Sequence, residues 1–172
     1  MYLYEKVCCV TGNRPQNFPW EYPENGNSEV YTEYKKKMGN VIEELIEDGY
    51  MYFISGGALG VDLDFAEQVI ALRNKYPSIT LELALPCPDH TRKWSNTDKK
   101  RYLKVLEKTD KVSCTSEAYS LRCMQIRNEY MVNSSDLVIA FWNGVESGGT
   151  FNTMRYARRL NKPIKIVFLS DF

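Results

Sequence analysis

Short apolar runs alternate with amphipathic stretches along the length of the chain, and this alternation limits the available folds more than any other feature. Residues 3–10 (LYEKVCCV), 50–55 (YMYFIS), 79–85 (ITLELAL), 136–141 (DLVIAF) and 164–169 (IKIVFL) read as strands, with a weaker one at 111–114 (KVSC). These runs lack the clean polar alternation of a half-exposed sheet, which suits strands covered on both faces. Helical spacing fills the gaps between them. From Ser28, the apolar positions Tyr31, Tyr34, Met38, Val41, Ile42 and Leu45 recur at intervals of three and four and end before Gly49. Further helices are predicted over 61–74, 95–108, 121–133 and 149–160. Strand and helix in turn imply crossover connections and a mostly parallel sheet with helices on both faces. The expected architecture is a single Rossmann-like, three-layer α/β/α domain over residues 1–172.

Length and composition fit that reading. At 172 residues the chain matches one domain of ordinary size. Its 44% hydrophobic and 26% charged residues are those of a globular protein rather than a disordered one. Lys and Arg number 22, Asp and Glu 22, so the formal net charge is zero. A protein that relies on phosphate-backbone attraction usually carries a basic excess, so nucleic acid is disfavoured as a partner. The cysteines Cys8, Cys9, Cys87, Cys114 and Cys123 are odd in number, and no two have the spacing of a zinc knuckle or redox motif. They read as reduced thiols of a cytoplasmic protein. The single histidine, His90, excludes multi-histidine metal sites, and no metal is expected. No apolar run approaches the roughly 20 residues of a membrane span, and the N-terminus lacks the pattern of a signal peptide.

In an open parallel sheet, ligands bind beyond the carboxyl ends of the strands, so glycine and polar residues gathered there mark the site. Three such clusters occur. The first strand runs into Thr11-Gly12-Asn13-Arg14-Pro15, where Gly12 permits a tight turn and Arg14 supplies a fixed cation with a planar donor fork. The second runs into Ser55-Gly56-Gly57-Ala58-Leu59-Gly60-Val61-Asp62 and then directly into a helix. This is neither a dinucleotide fingerprint nor a Walker loop, yet its glycines let a ligand approach helix-end amides. A side chain at Gly57 is expected to block a phosphate, and Asp62 either complements the helix dipole or holds ribose hydroxyls. The strand at 136–141 leads into Trp142-Asn143-Gly144-Val145-Glu146-Ser147-Gly148-Gly149-Thr150, a second glycine-rich helix start on the same edge. Two such starts with Arg14 between them favour a small phosphate-bearing nucleotide ligand.

Other residues are read with alternatives open. Met124, Arg127 and Met131 share one face of the helix over 121–133, so Arg127 meets either an internal carboxylate or the ligand. Trp94 either stacks on the ligand or caps the sheet edge, and His90 either touches the ligand or sits in a solvated loop. The stretch 13–27 (NRPQNFPWEYPENGN) has no periodicity, and its Phe18, Trp20 and Tyr22 favour a lid that packs over something, the alternative being a rigid surface loop whose aromatics fill gaps in the core.

Gly12 to Arg14, the run at 55–62, Lys93-Trp94, Arg127-Asn128 and Gly148-Gly149-Thr150 together resemble the YpsA-like proteins. These belong to the SLOG superfamily, named for the SMF/DprA proteins and the Lonely Guy phosphoribohydrolases. The resemblance covers nearly the whole chain and implies a Rossmann-like fold with a nucleotide-derived ligand such as NAD or ADP-ribose. Relatives commonly self-associate, and the apolar helices over 121–133 and 149–160 offer a face for a homo-oligomer. The Lonely Guy signature Met-x-x-Arg-Lys-x-x-Met is matched by Met124, Arg127 and Met131, with Asn128 in place of the lysine. Its final Gly-Thr is matched by Gly149-Thr150, but the following Phe151-Asn152-Thr153-Met154 lacks the catalytic glutamate. The leading expectation is a nucleotide-binding sensor or scaffold using Gly56, Gly57, Gly148, Gly149 and Thr150 as phosphate cradle. An N-glycosidic-bond hydrolase is the alternative, with Glu146, Asp62 and Arg127 as its candidate catalytic residues. Single-stranded DNA binding, as in DprA, is the third reading.

Overall fold

The computed structural model describes residues 5–24 and 26–172. In chain order its elements are β1 (Lys6–Gly12), α1 (Glu29–Glu47), β2 (Tyr50–Ser55), α2 (Val61–Leu72), β3 (Thr80–Leu85), α3 (Asn96–Leu106), β4 (Lys111–Cys114), α4 (Cys123–Asn133), β5 (Leu137–Trp142), α5 (Gly148–Arg159) and β6 (Ile164–Phe168). Short 3-10 turns cover Pro15–Asn17 and Leu169–Asp171. The predicted start of the first strand, at residues 3 and 4, lies outside the described residues.

The strands form one six-stranded sheet in the order β4-β3-β2-β1-β5-β6, and every neighbouring pair is parallel. Period-two alternation sends successive side chains to opposite faces. In β5, Leu137, Ile139 and Phe141 enter the larger core with α1, α2 and α3, whereas Val138, Ala140 and Trp142 pack on the face that carries α4 and α5. Both faces are therefore covered, which is why every residue of β5 is buried and the strand reads as a continuous apolar run.

Local signals set the helix ends. The Ser28 hydroxyl accepts from the Tyr31 amide at 3.1 Å and caps α1. Beyond the other end of α1, Gly49 adopts a positive φ of 91° before β2 begins.

Of the two sequence readings of the stretch 13–27, residues 13–24 follow the second, aromatics that fill gaps in the core, and not the favoured lid. Phe18 is buried, and its ring meets Trp20, Tyr22 and Tyr34 edge-on at centroid distances of 4.8, 5.0 and 5.6 Å. Trp20 donates its indole N–H to the Leu169 carbonyl at 2.8 Å. The aromatics thus plug the open end of the larger core. Beneath them lies Asp64, fully buried on α2, whose carboxylate accepts from the hydroxyls of Tyr22 (2.9 Å), Tyr31 (2.6 Å) and Tyr34 (3.0 Å) and from Arg101 (2.6 Å). Burial and the Asp64 charge push the Tyr31 and Tyr34 phenols well above their usual range. Lys35 Nζ stands 3.5 Å from the same carboxylate and Arg101 also donates to Glu67, so a fully buried charge is balanced by two cations and three hydroxyls.

Candidate functional site

The chain leaves β1 towards β2 on one side, while β5 lies against β1 on the other, so a crevice opens beyond the carboxyl ends of β1 and β5. Asparagines stitch its walls together. The Asn13 amide donates to the Phe141 carbonyl at 3.3 Å, the Asn143 amide to Asn13 Oδ1 at 2.9 Å, and Asn143 Nδ2 to the Asn17 carbonyl at 3.0 Å. Between these loops and α4 lies a cavity of about 330 Å³, within the size range of small-ligand sites.

Arg127 and Asp62 form its floor. Arg127 is 5% exposed and Asp62 8%. Arg127 Nη1 donates to the carbonyls of Gly56 and Ala84, Nε donates to Asn128 Oδ1 at 2.8 Å, and Nη1 stands 3.9 Å from Asp62 Oδ2. Among the described residues nothing accepts from Nη2, and the side chain lines the cavity. Asp62 Oδ2 accepts from the Ala58 amide at 3.3 Å. Burial raises the Asp62 carboxyl above its ordinary range, with Arg127 and the Ala58 amide pulling the other way. Burial likewise lowers the Arg127 guanidinium, partly offset by Asp62. The arginine thus meets an internal carboxylate and still presents a donor edge to the cavity.

The mouth is the start of α5. Ser147 makes no side-chain cap, and beyond Gly148 and Gly149 there is nothing within 4 Å of where a Cβ would stand. Among the described residues no group outside the helix accepts from the Gly148, Gly149 or Thr150 amides. Uncapped first-turn amides facing open space, with Arg14 exposed across the cavity, form an anion-attracting rim.

Of the residues singled out from sequence, Gly12, Arg14, Asp62, Arg127, Gly148, Gly149 and Thr150 line this one cavity. Gly56 and Trp94 line a smaller recess beside it. The others need correction. Gly57 has φ of 65°, and a Cβ there would stand 3.1 Å from Leu85 Cδ2, so it faces the apolar core rather than a phosphate. Ser55 is buried, donating to the Asp62 carbonyl at 2.7 Å and accepting from the Gly57 amide at 3.3 Å. A Cβ on Gly60 would meet the Asn13 carbonyl at 2.6 Å, and that carbonyl already accepts from the Val61 amide at 3.2 Å. Ser55, Gly57 and Gly60 are therefore close-packed support beneath the β1 loop, while Ala58 and Asp62 of the same run line the cavity. Glu146 is exposed and does not line the cavity, although Val145 and Ser147 on either side of it do. Asn13, Asn17, Asn128 and Asn143 also line it. Their signal was position: Asn13 and Asn143 directly follow the ends of β1 and β5.

A parallel sheet in this strand order, with its crevice at the β1–β5 switch point, defines a Rossmann-like α/β protein. The YpsA family model, described as "YspA SLOG family", matches residues 8–171, and the chain belongs to that family. It is 36% identical over 138 residues to the uncharacterized SPbeta prophage-derived protein YoqJ of Bacillus subtilis (strain 168), covering 73% of this chain and 80% of that one. A UPF0398 protein of Halalkalibacterium halodurans is 31% identical over 135 residues, covering 77% of this chain and 71% of its own length. Among solved structures, DNA processing protein A from Helicobacter pylori superposes with a TM-score of 0.61 at 18% identity, over 94% of this chain and 65% of that one.

The last likeness concerns fold, and it corrects one expectation. DNA processing protein A is described by its single-stranded DNA binding mode, so a protein of this architecture can bind nucleic acid. A zero net charge therefore does not disfavour such a partner, because it sums the whole surface and says nothing of any one face. Among the described residues no helix is long and apolar enough to cross a membrane. Among the described residues no cluster of His, Cys, Asp or Glu is arranged to hold a metal ion.

Proposed function

We propose that this chain binds a phosphate-bearing nucleotide or nucleotide derivative, of the ADP-ribose or NAD kind, in the cavity over β1 and β5. The observation that carries the reading is the uncapped start of α5 opening on the same cavity as Arg14 and the Asp62–Arg127 pair. The phosphate rests on the Gly148–Thr150 amides, Arg14 neutralises it at the rim, and Arg127 offers Nη2 to the sugar side. Binding without turnover makes the protein a sensor or scaffold. Should it hydrolyse an N-glycosidic bond, the carboxyl placed to act is Asp62, whose raised pKa suits a proton donor, rather than the exposed Glu146.

Calorimetry with AMP, ADP-ribose and NAD, followed by product analysis of each mixture, tests this. A ligand at a hundred times its Kd should stabilise the fold by about 2.7 kcal/mol, a rise in Tm of about 5 to 10 °C for a chain of this size. No binding by any of the three would refute the reading. The fold shared with a single-stranded DNA-binding protein supports a second one, in which the phosphate belongs to a DNA strand. A labelled oligonucleotide that binds with a steep salt dependence, while free nucleotides do not compete, would favour the strand.

A further inference from the structure

Beside the main cavity, towards β2 and β3, lies a recess of about 10 Å³, room for one water-sized group. Arg14, Ala58, Met124 and Arg127 line both spaces. His90 and Trp94, from the loop after β3, close the recess on its outer side. The imidazole is gripped edge-on by Trp94 and Tyr102, at centroid distances of 5.4 and 5.1 Å. Both of its ring nitrogens are nevertheless buried without a hydrogen-bond partner. The Gly57 and Cys87 carbonyls lie near enough to the ring to favour its protonated form, though neither meets full hydrogen-bond geometry. Burial, and after it the positive charge of Arg127, lowers the ring's pKa below its ordinary range and so favours the neutral form.

Chemistry narrows the occupant. A neutral imidazole offers one N–H and one lone pair, whereas the two guanidinium groups facing the recess only donate. A hydroxyl accepts from an arginine and donates to the imidazole lone pair, and it fits the space. A whole phosphate does not fit, and its place is at α5, on the far side of β1 from the recess. We propose that the recess is a subsite for a hydroxyl of the ligand's sugar, with His90 as the residue that recognises it. The inference rests on the nucleotide reading above and adds to it the part of the nucleotide that this edge of the site selects.

The chain has one histidine, so its imidazole nitrogen resonances report on the recess without ambiguity. Protein labelled with nitrogen-15 histidine is titrated with AMP, 2′-deoxy-AMP and 3′-deoxy-AMP, with affinities measured in parallel by calorimetry. AMP is expected to move a ring-nitrogen resonance, and one deoxynucleotide to bind about tenfold more weakly and leave it unmoved. His90→Phe, which keeps an aromatic ring against Trp94 and Tyr102, should erase that tenfold difference. AMP that binds while the imidazole stays silent, or three nucleotides that behave alike, would overturn the subsite and leave nucleotide binding standing. If calorimetry detects no binding of AMP, ADP-ribose or NAD, the nucleotide reading fails and the subsite falls with it.

Discussion

Replacing Gly149 by glutamate should move stability and binding in opposite directions. Gly149 lies in the first turn of α5 with nothing within 4 Å of its Cβ position, so the new side chain meets no steric obstacle. A better helix former than glycine, bearing a negative charge at the positive end of the dipole, should stabilise the fold by about 1 kcal/mol. For a chain of this length that is about 2 to 4 °C in Tm. The same carboxylate would stand some ~5 Å from a phosphate on the α5 amides, where an effective dielectric of about 20 gives roughly 3 kcal/mol of repulsion. Allowing for solvent at this exposed rim, at least about 1.4 kcal/mol should remain, a tenfold loss of affinity. Calorimetric titration with AMP and ADP-ribose, beside scanning calorimetry of the free protein, reads both effects. Gly149→Gln separates charge from bulk and should lose much less affinity. A Gly149→Glu variant that binds as tightly as the parent would refute the placement of the phosphate, and one that melts lower would show that the α5 amides are already engaged.

Gly57→Val should fail through folding rather than binding: the positive φ and the approach to Leu85 predict a loss of about 1 to 3 kcal/mol in chemical denaturation. A variant as stable as the parent but deficient in AMP binding would restore Gly57 to the ligand path. Phe18→Ala should cost about 3 to 5 kcal/mol, because it removes the centre of an aromatic plug; a change below about 1 kcal/mol would mark the segment as a loosely attached flap. The His90 ring should titrate with a midpoint below its ordinary 6.5, read from its carbon-bound proton resonances. The unfolded chain then takes up the proton first, so this group's contribution to stability is intact above pH 6.5 and is lost as pH falls towards the folded midpoint. A midpoint above 6.5 would contradict the burial assigned to it.

The strands and helices were legible because each carries its own signal. A strand covered on both faces must be apolar throughout, as Leu137 to Trp142 are, and α1 declares itself by its spacing and by Ser28 and Gly49 at its ends. The errors fell where a residue's role depends on a distant partner. Phe18, Trp20 and Tyr22 suit a lid or a plug equally well, and the choice is made by Leu169, Tyr34 and Asp64, far away in sequence. A double glycine serves an anion or a tight packing contact, and at Gly57 the decision belongs to Leu85 across the β2–β3 boundary. Arg127 posed a real alternative, of which the structure shows the internal carboxylate: its Nη1 holds the Gly56 and Ala84 carbonyls near Asp62, while the side chain also borders the cavity. The asparagines of the crevice carry neither a charge nor a glycine's freedom, so only the position of Asn13 and Asn143 just after β1 and β5 marks their role.

Asp62 and Asp64 sit two positions apart in the first turn of α2, a little over half a helical revolution, and so look in different directions. One floors the ligand cavity, while the other anchors the hydroxyls beneath the aromatic plug. The segment held by that anchor begins at Asn13 and Arg14, which form the cavity's wall. A ligand bound there as proposed would meet a wall already ordered by a network on the far side of the same helix, and would lose little affinity to freezing that wall. Loosening Tyr31 or Tyr34, neither of which borders the cavity, should weaken ligand binding by an entropic route, with no contact to the ligand removed.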